Sequence, residues 1–109
     1  RGKPQRESSA LSEVEWAIIL NMYFVYMLKN DSNDLYIGIT EDLEKRLKYH
    51  NMKQGAHFTK NKGVFKIVFH EKHPTLIDAR KREIQIKKWR REKKEILISM
   101  FGNGLETKI

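Results

Sequence analysis

The chain has 109 residues, enough for one domain with a single modest core. It contains no cysteine, which excludes disulfides, thiolate metal sites and cysteine nucleophiles, and agrees with a reducing compartment. Its 22 Lys and Arg against 14 Asp and Glu give a net charge of +8, which favours a polyanionic partner or, more simply, a highly charged surface without one. The longest apolar run, residues 16–28, is too short to span a bilayer, so we expect a soluble, cytoplasmic protein with no membrane partner.

The first part of the chain precedes any clear strand and does not begin with Met. Ser12 and Glu15 fit a capping box, which predicts a short helix over residues 16–20. The expected organisation is an N-terminal extension that is disordered or foreign to the native chain, then one domain, then a C-terminal tail, over residues 1–21, 22–101 and 102–109.

Two short aromatic and β-branched runs, residues 23–28 and 35–39, flank a polar turn of Asn, Asp and Ser. This pattern predicts a β-hairpin. In the register that the turn favours, Tyr26 faces Gly38 and lies diagonally beside Tyr36 on the same face, roughly 7 Å away. Two phenols beside a glycine could bind a polar group. Tyrosine pairs are also common in sheets without any catalytic role, so the hairpin alone leaves both interpretations open.

A helix is predicted after the hairpin. Thr40 can cap it, with Glu41 and Asp42 in a first turn where negative charge is favoured. Arg46 and His50 are four residues apart and therefore lie side by side on this helix. The alternative for this pair is a solvated arginine and a histidine placed favourably at the C-terminal end of the helix.

A polar loop with glycine turn points is predicted over residues 51–63. Three of its lysines could contact phosphates or simply be exposed: Lys53, Lys60 and Lys62. A third strand is then expected over residues 64–71. Its alternation predicts three apolar side chains on one face: Phe65, Ile67 and Phe69.

A long helix is expected over residues 76–89, with Thr75 in a second capping pattern. Glu83 falls among the positions of this helix that face the core. A carboxylate there needs a partner, because burying it unpaired is costly. Arg80 and Lys87 have the right helical spacing. An ordinary ion pair within the helix is the alternative to a functional role.

The region from 80 to 94 is the most basic part of the chain. Its expected nucleic-acid-binding residues are Arg80, Lys87, Lys88, Arg90 and Arg91. A final helix is predicted over residues 92–100, with three consecutive residues contributing to the core: Ile96, Leu97 and Ile98.

The order strand, strand, helix, strand, helix, helix closely resembles the GIY-YIG nuclease domain. Residues 24–26, Phe-Val-Tyr, stand where that family has Gly-Ile-Tyr, and residues 36–38 are its Tyr-Ile-Gly motif unchanged. Arg46 and His50 resemble the arginine and the following His or Tyr of the family's helix. Glu83 matches its metal-binding glutamate. The resemblance implies a fold of the α/β class in the α+β sense, a small three-stranded antiparallel sheet flanked by helices.

The small size and residues 55–59 look most like the compact single-domain bacterial members related to the N-terminal domain of UvrC. The chain departs from the pattern at two positions. Phe24 replaces the first glycine and leaves Tyr26 in place. Many members carry an Asn beyond the glutamate, whereas this chain has Glu95 twelve residues after Glu83.

The resemblance implies an endonuclease that hydrolyses nucleic-acid phosphodiesters, DNA being expected, with one Mg²⁺ or Mn²⁺ ion. Glu83 would anchor the metal and Arg46 would neutralise charge on the phosphate oxygens. Either Tyr26 or Tyr36, assisted by His50, would help to deprotonate the attacking water. One alternative is a nucleic-acid-binding module without catalysis on the same scaffold. Another is a module that cuts only within a larger repair or recombination assembly. The oligomeric state is left open.

Overall fold

The computed structural model describes residues 11–12, 22–57 and 64–109, except for the side chains of residues 53–57. The elements in chain order are β1 (Tyr23–Lys29), β2 (Leu35–Thr40), α1 (Leu43–His57), β3 (Lys66–His73), α2 (Leu76–Lys87) and α3 (Arg91–Gly102). The helix predicted over residues 16–20 lies outside the described residues. Within the described ranges, none of the helices combines the length and the apolar character needed to cross a bilayer.

The three strands form one antiparallel sheet in the order β2-β1-β3, which confirms the predicted fold class. The turn between β1 and β2 is held by Asn30, whose side-chain oxygen accepts a hydrogen bond of 2.9 Å from the Asp34 backbone N–H. Asn33 in the same turn has a φ of 69°, a left-handed conformation that asparagine tolerates better than most residues. The resulting register places Tyr26 opposite Gly38, as predicted.

Both faces of the sheet are covered by helices. One core cluster packs the sheet against α2 and α3 and contains the buried residues Val25, Met27, Ile37, Phe69, Ala79, Ile86 and Leu97. The other packs the sheet against α1 and contains Phe24, Tyr26, Leu28, Leu43 and Phe65. Because successive strand residues point to opposite faces, the buried residues 24–28 of β1 contribute to both clusters.

The prediction that three apolar residues of the third strand share one face was wrong. The register between β1 and β3 shifts after Met27, which lies opposite Phe69, so that Val68 becomes an extra residue. Phe69 therefore packs in the cluster under α2 and α3, whereas Phe65 and Ile67 pack in the cluster under α1. The strand also begins and ends two residues later than predicted.

The start and the end of α1 differ from the prediction. Asp42 caps the helix, since its carboxylate accepts a 3.1 Å hydrogen bond from the Lys45 backbone N–H. The Thr40 hydroxyl instead accepts a 3.1 Å bond from the Asp42 N–H in the preceding turn. The acidic residue inside the first turn is Glu44. The helix then continues to His57, so the first half of the predicted loop is helical.

The predictions for the last two helices were only partly correct. Thr75 caps α2, as predicted, by accepting a 3.1 Å hydrogen bond from the Asp78 backbone N–H. The helix ends at Lys87, two residues earlier than expected. In α3 Leu97 is fully buried, but Ile96 is 54% exposed, so its predicted core position was wrong. Successive helical residues are about 100° apart, so three in a row cannot all face the core.

Candidate active site

Two tyrosines and one histidine make a continuous ring cluster between the hairpin and α1. The ring centroids of Tyr26 and Tyr36 are 6.3 Å apart, which confirms the diagonal pairing predicted from the register. The His50 ring lies 4.3 Å from that of Tyr36, and its Nε2 is 3.5 Å from the Tyr26 hydroxyl. Tyr26 is buried, whereas Tyr36 is 44% exposed. The cluster therefore has one phenol deep in the core and one that solvent or substrate can reach.

His50 is held in place by the start of β3. Its ring packs edge to face on Phe65, with a centroid distance of 5.9 Å. The neighbouring Asn51 side chain donates to the Phe65 carbonyl at 3.2 Å and accepts from the Phe65 N–H at 2.7 Å. This pair of hydrogen bonds ties α1 to the strand directly beside the histidine. The two bonds fall at the first residue of the predicted loop, which is helical in the structure.

The absence of a side chain at Gly38 makes room for the buried phenol. A Cβ atom at this position would lie 2.7 Å from the Tyr26 hydroxyl oxygen and 2.9 Å from the ring carbon that bears it. Real Cβ atoms do not approach other heavy atoms so closely. The glycine of the second motif is therefore required by the tyrosine of the first.

The buried phenol resists deprotonation. Burial raises the pKa of Tyr26 to about 12, and the neighbouring Tyr36 adds to the rise. Arg46 lowers the pKa of Tyr26, and the carboxylate of Glu83 raises it slightly. Tyr26 is therefore protonated at neutral pH. Because the charges of Arg46 and Glu83 both affect the pKa of Tyr26, both residues lie within electrostatic range of the ring cluster.

Arg46 lines a cavity between α1 and the start of α2, where three basic residues outnumber two acidic ones, Glu41 and Asp42. The cavity measures ≈ 470 Å³, and the basic residues Lys45 and Arg80 line it as well. The guanidinium carbon of Arg46 lies 5.8 Å from the centroid of the Tyr49 ring, one turn further along the helix. Lys45 and Tyr49 were not selected from the sequence, although the spacing of Tyr49, three residues after Arg46, indicates contact on one helix face.

Glu83 is a buried carboxylate with a cation on each oxygen. It is 5% exposed and lies on the inner face of α2, close to the buried Ala79 and Ile86. Its Oε1 accepts a 2.7 Å hydrogen bond from the Arg80 guanidinium, and its Oε2 lies 3.2 Å from the Lys87 ammonium. Both ion-pair partners suggested by the helical spacing are therefore present.

Residues 22–95 match the family described as the GIY-YIG catalytic domain. The chain belongs to the GIY-YIG family. The chain is 38% identical to the UPF0213 protein YazA of Bacillus subtilis over 86 residues, which cover 79% of this chain and 87% of YazA. It is 44% identical to the UPF0213 protein CPE1444 of Clostridium perfringens over 78 residues, 72% and 84% of the two chains. A solution NMR structure of the UPF0213 protein BH0048 of Bacillus halodurans is 33% identical, covers 72% of this chain and 84% of its own, and has a TM-score of 0.48.

The donor set of this GIY-YIG chain suits a hard, hydrated metal ion. Among the described residues there is no group of three or more His, Cys, Asp or Glu side chains that could enclose an ion. Glu83 is a single carboxylate, and its burial beside two cationic groups shows that it requires positive charge. Mg²⁺ keeps most of its waters and commonly takes only one or two protein carboxylates, so it fits this position. Mn²⁺ accepts the same oxygen ligands.

Glu95, at the position where many GIY-YIG members have Asn, connects α3 to the hairpin. Its carboxylate accepts a 2.9 Å hydrogen bond from Lys29 and a 2.8 Å bond from Arg91. The hydrogen bond from Lys29, reinforced by Arg91, lowers the pKa of Glu95. Arg91 also donates to the Asn33 carbonyl at 2.7 Å. These contacts give Glu95 a structural role in this chain.

The eight basic residues expected to bind nucleic acid fall into three groups. Arg80 and Lys87 are paired with Glu83, while the guanidinium of Arg91 is taken by Glu95 and the hairpin turn. Two are exposed at the junction of α2 and α3: Lys88 and Arg90. The side chain of Lys53 and the whole of Lys60 and Lys62 lie outside the described part of the chain.

Proposed function

We propose that this chain is an endonuclease that hydrolyses phosphodiester bonds in nucleic acid, with DNA as the expected substrate and one divalent metal ion at Glu83. The observation that carries the proposal is the ring cluster of Tyr26, Tyr36 and His50, in a GIY-YIG chain whose Arg46 and Glu83 lie within electrostatic range of it. A proton acceptor, a cation for the phosphate and a carboxylate for the metal are the groups that this hydrolysis needs.

The two tyrosines have different roles in the proposed reaction. Tyr36 is exposed and its ring packs at a tilt against that of His50, which supports a role for these two residues in taking the proton of the attacking water. Tyr26 stays protonated because its pKa is raised to about 12, and its hydroxyl can therefore donate a hydrogen bond. The distance of 3.5 Å from that hydroxyl to the His50 Nε2 allows it to orient the imidazole.

Arg46 binds the phosphate in this proposal. Its guanidinium would neutralise the negative charge that develops on the non-bridging oxygens, and its position in the cavity with Lys45 and Arg80 supports this role. The metal, when bound at Glu83, supplies Lewis acidity at a phosphate oxygen and stabilises the leaving oxygen. The exposed basic residues hold the backbone of the nucleic acid without reading its sequence.

The test is a cleavage assay on labelled single-stranded, duplex and branched DNA, each with Mg²⁺, Mn²⁺ or EDTA. We expect metal-dependent cleavage by the wild-type chain and a loss of at least about a hundredfold in the Arg46→Ala variant, since an aligned charge that acts only in the transition state contributes on that order. Glu44→Ala, an exposed change on the same helix, serves as the control. Cleavage that persists in EDTA, or in the Arg46→Ala variant, would contradict the proposed mechanism.

A binding module without catalysis is the second candidate. The observation that favours it is the occupation of both Glu83 oxygens by Arg80 and Lys87, because a metal must displace these cations before it can bind. Tight, salt-sensitive binding to DNA that is unaffected by EDTA, with no cleavage of any of the three substrates, would support this candidate over the nuclease.

A further inference from the structure

The two cations on Glu83 reach it from solvent. The Glu83 side chain is 6% exposed, whereas those of Arg80 and Lys87 are 57% and 53% exposed. A buried carboxylate without positive charge nearby would be strongly disfavoured, so the two residues neutralise it in the absence of metal. Their own exposure means that each charged group can leave Glu83 without becoming buried elsewhere.

Arg80 also belongs to the surface where a phosphate is expected. It lines the ≈ 470 Å³ cavity that Arg46 and Lys45 line from α1, and its charge makes the basic residues there outnumber the acidic Glu41 and Asp42. A phosphate in this cavity offers Arg80 an anionic partner in place of Glu83, through the charge-assisted hydrogen bonds that guanidinium groups form with phosphate. Lys87 lies two turns further along α2 and can follow the backbone of a longer nucleic acid in the same way.

We propose that Arg80 and Lys87 are a phosphate-binding pair whose release from Glu83 makes the carboxylate available to the metal. Nucleic acid and metal then bind cooperatively, since phosphates remove the two cations that compete with the metal for Glu83. Such coupling is reciprocal, so each ligand raises the affinity for the other by the same factor. The proposal rests on the proposed function, because it takes Glu83 to be the metal-binding residue.

The experiment measures Mn²⁺ affinity from the electron paramagnetic resonance signal of free Mn²⁺, with and without a short single-stranded oligodeoxynucleotide whose phosphates are retained whether or not it is cut. The variants are Lys87→Met, Arg80→Met and Glu83→Gln. The control is Lys81→Met, which removes the same charge at an exposed position of α2 about 200° round the helix from Glu83.

Without oligonucleotide, we expect Lys87→Met to bind Mn²⁺ roughly tenfold more tightly than the wild-type chain, within the usual range of coupling between sites. Arg80→Met should act in the same direction, Lys81→Met should change the affinity less than about twofold, and Glu83→Gln should lose the site. The oligonucleotide should tighten Mn²⁺ binding in the wild-type chain and do so less in Lys87→Met. Circular dichroism spectra confirm that each variant is folded.

Equal Mn²⁺ affinity in Lys87→Met and Lys81→Met would overturn the proposal, as would weaker binding in Lys87→Met or binding retained in Glu83→Gln. The nuclease proposal fails separately. Tighter Mn²⁺ binding in Lys87→Met, without DNA cleavage by any form, would support the phosphate-binding pair and contradict the nuclease proposal. Cleavage by the wild-type chain, with unchanged Mn²⁺ affinity in Lys87→Met, would support the nuclease proposal and contradict the phosphate-binding pair. If no form binds Mn²⁺, both proposals are wrong.

Discussion

Replacing Gly38 by alanine should displace the buried tyrosine at the centre of the site. The added Cβ would lie 2.7 Å from the Tyr26 hydroxyl oxygen, 2.9 Å from one ring carbon and 3.2 Å from another. Tyr26 is 2% exposed and packed in the cluster under α1, so its ring has little free space into which to move. Overpacking of this kind typically costs about 1–3 kcal/mol.

The expected loss of stability combines this steric cost with an opposing gain from conformational entropy. Alanine in a strand is favoured over glycine by roughly 0.5–1 kcal/mol through the smaller conformational entropy of its unfolded state, which offsets part of the steric cost. The free energy of unfolding of Gly38→Ala should therefore fall by about 1–2 kcal/mol. Cleavage should fall with it, because the Tyr26 hydroxyl must move from its position 3.5 Å from His50.

Urea denaturation followed by circular dichroism measures the change in stability. Gly102→Ala is the matched control, since a Cβ at the end of α3 would meet nothing within 4 Å. Tyr26→Phe removes the hydroxyl atom of the closest contact, so the cost of Gly38→Ala should be smaller in that background by roughly 1 kcal/mol in a double-mutant cycle. The steric argument would be wrong if Gly38→Ala were as stable as Gly102→Ala. It would also be wrong if Gly38→Ala lowered the free energy of unfolding by the same amount in the Tyr26→Phe background as in the wild-type chain.

Two further predictions concern protonation and helix capping. Because the pKa of Tyr26 is raised from 10.0 to about 12, its phenol loses a proton less readily in the folded chain than in the unfolded one. The free energy of unfolding should therefore be unaffected by this group below pH 10 and should fall as the pH rises towards 12. The loss is about 2 kcal/mol by pH 12, and Tyr26→Phe should not show it; identical pH profiles of the urea midpoints in the two proteins would contradict this. Asp42→Ala should lower the free energy of unfolding by about 1 kcal/mol through loss of the cap on α1. The neighbouring exposed change Glu41→Ala should leave stability within about 0.5 kcal/mol of the wild type, and equal effects of these two changes would count against the cap.

The hairpin and the pairing around Glu83 could be predicted because local rules determine them. The length of the turn fixes the strand register, and the register alone places Tyr26 opposite Gly38 and beside Tyr36. Helical spacing in the same way identifies the partners of Glu83. In both cases the deciding distance is between residues that are close in the chain or joined by one short turn.

Several errors arose where contacts in the folded chain, rather than sequence pattern, decided the outcome, whereas the wrong core position of Ile96 follows from helical geometry. The bulge at Val68 is set by how β3 pairs with β1, and strict alternation in the sequence contains no sign of it. Thr40 and Asp42 are both good capping residues, and only the three-dimensional turn decides between them. Asn51, the first residue of the predicted loop, is helical and bonded to Phe65, which lies fourteen residues away.

The most direct test of the nuclease proposal is the rate of Mg²⁺-dependent cleavage by Glu83→Gln, measured on whichever DNA the wild-type chain cuts best. Glu95→Gln is the matched control, since it makes the same chemical change at a carboxylate that is also paired with two cations but ties α3 to the hairpin. We predict that Glu83→Gln remains folded, binds DNA and no longer cleaves it, whereas Glu95→Gln still cleaves. Cleavage by Glu83→Gln at the wild-type rate would contradict the assignment of the metal to Glu83 and, with it, the proposed mechanism.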